Sequence, residues 1–283
     1  MKIGIVILNY LAYQVTIDTV NSFLEQDVSN VEVQYIIVDN GSPNESYDKL
    51  LDIFGKYENI HIYKTEKNLG FANGNNFGYK KLLNYMKPDY VIISNDDILL
   101  PQPDIFKWID ECYRKYKFSV LGPDVYSLNG KFHQSPIENY SRSVKKCIYN
   151  YLRNCYRILK LRIKQLLRVE VKYEHPSWKN DKFSEPSAEY TLHGSFQIFS
   201  GIYFEKYELP YDEATFLYME EDFLKLRCEK YRLLMQYDNS YTVNHLQAIS
   251  TNLIADTNYK KHIFRFKNLN KSLIKYTIKL LKK

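Results

Sequence analysis

A chain of 283 residues with 45% hydrophobic and 25% charged side chains is long for one domain, yet α/β folds of this size are commonly single units. No stretch approaches the roughly eighteen consecutive apolar residues of a membrane span, and the six apolar or glycine residues between Lys2 and Asn9 are too few for the core of a signal peptide. Four cysteines, Cys112, Cys147, Cys155 and Cys228, form no CxxC pair and no metal-ligand spacing, which points to reduced packing thiols in a cytosolic protein.

Residues 2–8 are a continuous apolar, β-branched run, the pattern of a parallel strand covered on both faces. A helical stretch at 12–26 follows, then a second run at 33–38 that ends in Asp39-Asn40-Gly41-Ser42. At a strand end Asp39 can accept from a base N–H or a ribose hydroxyl; equally, Asp and Asn there can bond their own turn. A helix at 45–57 and a short run at 60–63 lead to the segment 68–78, with three glycines and four asparagines, ahead of a helix expected at 73–86. Glycines let backbone approach a ligand and a helix N-terminus favours phosphate, although the segment is neither a P-loop nor a clean GxGxxG.

The run 90–94 is a fourth strand and empties into Asn95-Asp96-Asp97. Paired acids either repel or hold a cation, and Mg²⁺ prefers one or two carboxylates plus substrate oxygens; the competing reading is a turn ahead of Pro101 and Pro103. The β-α-β-α-β-α-β order implies a parallel sheet with right-handed crossovers. A helix at 104–116 and a return to the sheet at 119–122 follow. Beyond 190 the pattern is mixed: 196–204 is strand-like, 220–231 helical and 233–237 a short strand. The helix opens on Glu220-Glu221-Asp222; acids in a first turn complement the helix dipole, and one facing a site serves as general base. His245, at a strand end, is a candidate metal ligand, although a lone His is more often structural.

Charge is unevenly placed. Segment 141–173 holds ten Lys/Arg against one acid, Glu170, and 260–283 holds nine against none, leaving 20 basic and 32 acidic residues elsewhere. Both segments read as amphipathic helices. In the first, Val144, Ile148, Leu152, Cys155, Leu159, Ile163 and Leu166 recur beside Arg153, Arg157, Lys160, Lys164 and Arg168. In the second, Phe266, Leu269, Leu273, Tyr276 and Leu280 alternate with lysines. Such helices suit an anionic headgroup interface; docking on the domain is the alternative, and RNA binding lacks a recognition motif.

Taken in order, Asn9-Tyr10, Val38-Asp39-Asn40-Gly41-Ser42, Asn68-Leu69-Gly70-Phe71-Ala72, Asn95-Asp96-Asp97, Gly201, Glu221-Asp222 and His245 resemble the family-2 glycosyltransferases with a GT-A fold. More narrowly, they resemble its rhamnosyltransferase-like bacterial members that build capsule and O-antigen chains. The resemblance covers about residues 3–122 and 190–250 and makes 141–173 an insertion. It implies an α/β, GT-A type fold, with a Rossmann-like, mostly parallel sheet flanked by helices. One domain would span 1–258, with a nucleotide-binding half at 1–122 and an acceptor half at 185–258, followed by a basic helix at 259–283. By the same resemblance Asn9 and Tyr10 lie on the nucleotide side, Asp39 reads the base, and Asn68 and Gly70 line the donor pocket beside Asn95 and Asp96. Asp97, last position of an Asp-x-Asp motif, holds Mn²⁺ or Mg²⁺, and His245 helps hold the metal or the diphosphate. Asp222 of the Glu221-Asp222 pair is the general base. Asn95 stands where the motif has its first acid, and Leu11 replaces an Asn often found after Asn-Tyr.

The implied reaction is inverting transfer from a UDP- or dTDP-sugar to a hydroxyl of a lipid-linked oligosaccharide, by an enzyme peripheral to the inner face of the cell membrane. It needs a cation for the leaving diphosphate and one carboxylate to take the acceptor's proton, whereas a glycoside hydrolase needs two carboxylates flanking the bond. The rivals are a nucleotidyltransferase, whose basic Gly-rich first turn is missing from Asn9-Tyr10-Leu11-Ala12, and a non-catalytic membrane- or polyanion-binding module. No nucleic-acid partner is expected.

Overall fold

The computed structural model describes residues 1–129, 131–137, 143–172, 185–246 and 257–282; the ends of the basic segment 141–173, residues 247–256 of the expected acceptor half, and Lys283 lie outside them. Strands β1 (Lys2–Asn9), β2 (Glu32–Asp39), β3 (Ile60–Lys64) and β4 (Tyr90–Asn95) alternate with helices α1 (Tyr13–Leu24), α2 (Ser46–Phe54) and α3 (Gly70–Leu82). All pairings among these strands are parallel. Continuous apolar runs arise because both faces are covered: Ile3, Ile5, Ile7, Ile37 and Ile92 enter one core, while Val6, Ile36, Val38, Val91 and Ile93 enter the other.

The second half adds β5 (Ile98–Leu99), α4 (Ile105–Tyr116), β6 (Val120–Ser127), β7 (Phe132–His133), α5 (Val144–Leu166), β8 (Phe196–Ser200), α6 (Gly201–Phe204), α7 (Glu220–Tyr231), β9 (Met235–His245) and α8 (Asn258–Leu281). The sheet order is β3-β2-β1-β4-β8-β6-β9-β5, with β7 on β6. Since β5 follows β4 after two residues yet pairs with the end of β9, Asp96 and Asp97 bridge the parallel half of the curled sheet to β9.

Three of the differences from the sequence pattern stand out. Helix α3 begins at Gly70, three residues before the expected 73, because its asparagines bond another segment of the chain, described below. The run 196–204 divides at Ser200, where β8 gives way to α6. Strand β9 runs on to His245 through Asp238-Asn239-Ser240; the Asp238 carboxylate that would interrupt it accepts from Trp108 Nε1 (3.2 Å), Tyr116 Oη (2.9 Å) and Ser240 N–H (3.0 Å).

The two basic segments pack on each other. Asn154 donates to Asn270 Oδ1 at 3.0 Å, Arg157 lies over the Phe266 ring, and Cys147 joins Leu273 and Tyr276 in one cluster, so α5 and α8 run antiparallel. Helix α8 is also seated on the domain: Tyr276 meets the Phe223 ring of α7, Ser272 donates to Leu217 O at 3.2 Å, and Lys279 pairs with Asp212. For α8 the docking alternative therefore holds. Among the described residues no helix is long and apolar enough to cross a membrane.

Candidate functional site

Strands β1, β2 and β4 end side by side, with Asn9 opposite Asp39 and Leu8 opposite Asn95. Such an edge is where open α/β sheets hold ligands. The buried Asp39 carboxylate accepts from Asn9 Nδ2 and from Ser42 N–H, each at 2.9 Å. Asn9 is itself buried and its Oδ1 accepts from Ala12 N–H and the Thr16 hydroxyl; it holds Asp39 and opens α1. Tyr10 is half-buried just beyond. Leu11 has φ +68°, a left-handed conformation costly for a branched side chain and better tolerated by the Asn it replaces.

The asparagine-rich segment is bonded on both sides. Asn68 Oδ1 accepts from Gly70 N–H at 2.8 Å, and Asn40 reaches Asn68, Gly70 and Leu69. Phe71 N–H donates to Phe216 O at 2.8 Å; Asn73 donates toward Glu213 O and Thr215 O; Asn76 exchanges two bonds of 3.0 Å with the Tyr211 backbone. These side chains thus fasten the 211–216 stretch, which leads directly into the acids of α7. Gly70 has φ +80°, and a Cβ on it would lie 2.1 Å from Phe216 O.

The acids after β4 are fixed from three directions. Asn95 N–H donates to Ser195 O, Thr19 donates to Asp96 O, and Leu246 N–H donates to Asp97 O. Asp97 Oδ1 lies 3.1 Å from His245 Nε2, and His245 Nδ1 meets Gln134 Oε1 at 2.6 Å. Since an amide oxygen only accepts, Nδ1 carries the hydrogen, and in a neutral ring the Nε2 lone pair would face Asp97. In that form two acceptors face each other, and the buried Asp97 Oδ1 has no hydrogen-bond donor among the described residues. A proton on Nε2 or a cation relieves that arrangement. Burial alone would raise the Asp97 carboxyl, but His245 in its protonated form and the Asn95 side chain hold it below the usual carboxylate range.

The residues fit a small divalent ion in part. Cis ligands of an octahedral ion stand about 3 Å apart, close to the separation observed, and Gln134 supplies the outer partner that fixes a ligating histidine's tautomer. Asn95 contributes no charge, and among the described residues no group of three or more His, Cys, Asp or Glu has metal-holding geometry. Asp97 and His245 would be its protein ligands, with other positions left to diphosphate oxygens and water.

At the head of α7, Tyr218 and Met219 are both left-handed, with φ of 73° and 74°; strain of this kind persists where surrounding structure imposes it. Glu221 accepts from Gly194 N–H at 3.2 Å, two residues from Phe196, where β8 begins. Burial, with Glu221 beside it, pushes the Glu220 carboxyl up to about 8. Asp222, partly buried, is the next residue of the same turn. Sequence reasoning missed His193. Its Nδ1 accepts from Ser195 N–H at 3.2 Å and contacts Ser195 Oγ at 2.8 Å, its ring centre lies 5.7 Å from that of His245, and burial pushes it down to about 3. A histidine ahead of an apolar strand carries no motif, and only the fold brings it beside Asp97.

Comparisons with known proteins bear on the family and the fold. The profile described as Glycosyl transferase family 2 matches residues 4–178, so Glu221, Asp222 and His245 lie beyond the match. A low-salt glycan biosynthesis hexosyltransferase of Haloferax volcanii, Agl10, is 24% identical over 117 residues, 39% of this chain and 36% of that protein; the match thus spans about a third of the curated relative's length. Among solved structures, S. aureus TarS superposes with a TM-score of 0.56 at 11% identity, over 87% of this chain and 36% of that one. Its 1–349 fragment gives 0.55 at 12% identity over 96% of this chain and 72% of that one. The fold is the mixed α/β, GT-A type that the resemblance implied.

Proposed function

The chain belongs to glycosyl transferase family 2, and on that premise we propose that it moves a sugar from UDP or dTDP to a hydroxyl of a lipid-linked glycan in bacterial surface polysaccharide assembly, inverting the anomeric centre. The observation that carries this reading is the meeting of Asp97 and His245, 3.1 Å apart, with the buried Asp39 and Asn9 on adjacent strand ends and the Glu220-Glu221-Asp222 turn bonded to Gly194.

Roles follow from chemistry. Asp39, Asn68 and Gly70 bound the donor's nucleoside side, with Tyr10, Asn95 and Asp96 at its border; Asn9 acts through Asp39. A divalent ion held by Asp97 and His245 would neutralise charge on the departing diphosphate. A carboxylate of the α7 turn takes the acceptor hydroxyl's proton as it attacks. The family resemblance put this base at Asp222; the bond from Gly194 favours Glu221, which is aimed at the 193–195 segment that also holds Asn95. The lipid-linked acceptor and a station at the inner membrane face rest on the basic charge of α5.

The test is incubation of the purified chain with Mn²⁺ and a panel of nucleotide sugars, reading released nucleoside diphosphate. Release from a UDP- or dTDP-hexose is expected. Pyrophosphate release from a nucleoside triphosphate and a sugar 1-phosphate would instead establish the nucleotidyltransferase, and no turnover of any donor would leave the binding module.

A further inference from the structure

Helix α5 docks with its weaker apolar face. The positions buried against α8 are Cys147, Asn154 and Leu161, a narrow row at seven-residue spacing. The stronger stripe points to solvent: Leu152 is 60% exposed, Leu159 57% and Leu166 83%, with Ile148, Tyr156 and Ile163 beside them. At 1.5 Å per residue the stripe runs for roughly 27 Å along this 23-residue helix. Soluble monomers seldom leave so long an apolar row uncovered. On a helical wheel Arg153, Lys160 and Lys164 flank it on one side, and Val144–Leu166 contains no acid.

We propose that this outward face of α5 is a docking surface for an anionic phospholipid leaflet, with α8 serving as its internal strut. The stripe enters the headgroup boundary while the lysine and arginine stems reach sideways to phosphates. A second copy of the chain is disfavoured as the occupant because two such faces would bring Arg153, Lys160 and Lys164 together with no acid on either helix to pair them. The inference deepens the membrane-side part of the function proposed above and rests on it, but its readout needs no catalysis.

The experiment is co-sedimentation of the full chain with phosphatidylcholine vesicles, with and without phosphatidylglycerol. Wild type should bind the anionic vesicles and not the neutral ones. Arg153→Gln with Lys160→Gln and Lys164→Gln should weaken partitioning by roughly a hundredfold, and Leu152→Glu with Leu159→Glu should abolish it. Thermal unfolding midpoints, unchanged in both, show intact folding. The paired control Ile274→Glu with Ile278→Glu, at exposed positions of α8, should bind as wild type does. Wild type failing to bind, α5 variants binding normally, the α8 control losing as much, or a wild-type dimer dissolved by Leu152→Glu would each overturn the assignment. A wild type that binds vesicles but turns over no donor would refute the transferase reading and leave this surface standing.

Discussion

Replacing Gly70 by alanine tests how the donor loop is coupled to the α7 acids. At φ +80° a residue with a Cβ pays about 1–2 kcal/mol for the left-handed conformation. The new Cβ would lie 2.1 Å from Phe216 O, a backbone atom that must move, and overpacking of this kind costs about 1–3 kcal/mol. Moving that oxygen also loosens the 2.8 Å bond from Phe71 N–H, worth about 1 kcal/mol. The sum is about 3–6 kcal/mol, and at roughly 2–4 °C per kcal/mol for a chain of this size the melting midpoint should fall by about 6–24 °C. Gly201→Ala is the matched control: nothing lies within 4 Å of its Cβ, so it should be neutral or stabilising by about 0.4–1 kcal/mol. Thermal and urea unfolding of both variants decide the matter. Midpoints for the two within about 2 °C of each other would refute the clash.

Asp97→Ala should remove the gain in donor affinity that Mn²⁺ gives, measured by calorimetry with a non-hydrolysable donor; a wild type binding donor equally with and without Mn²⁺ would dismiss the metal role. Glu220 gives a pH dependence. Its carboxyl is near 4.5 when unfolded and raised to about 8 in the fold, so between those values the folded state holds a proton that the unfolded state has lost. Its stabilising contribution is full below pH 4.5 and is lost as pH rises to about 8. Glu220→Gln, neutral throughout, should therefore gain stability relative to wild type from pH 5 to pH 8 in urea titrations, and a difference independent of pH would refute the buried neutral acid.

The parallel half was legible because its physics is local. Apolar β-branched runs bounded by Asp39 and Asn95 can only be strands covered on both faces, and their ends mark the ligand edge. What escaped the sequence depends on distant partners. Nothing near Asp238 signals that Trp108 and Tyr116 would satisfy it inside a strand. The glycines of segment 68–78 suggested close approach to a ligand, whereas Asn73 and Asn76 of the same segment hold the 211–216 backbone. In α5 the amphipathic spacing identified the stripe but not its direction: heptad-spaced Cys147, Asn154 and Leu161 dock, and the leucine row faces outward. The order Asn95-Asp96-Asp97 to His245 was readable as motifs, yet their 3.1 Å contact exists only because β5 pairs with the end of β9.

The most direct test is the turnover number for sugar transfer, compared between Glu221→Gln and Asp222→Asn with a donor that wild type consumes. Glu221→Gln should fold normally, bind donor as wild type does, and lose about 10²–10⁴ in kcat, as expected on removing a general base, while Asp222→Asn retains most of its rate. Near wild-type turnover in Glu221→Gln, or the full loss appearing in Asp222→Asn instead, would contradict the assignment of the proton acceptor to the carboxylate bonded at Gly194.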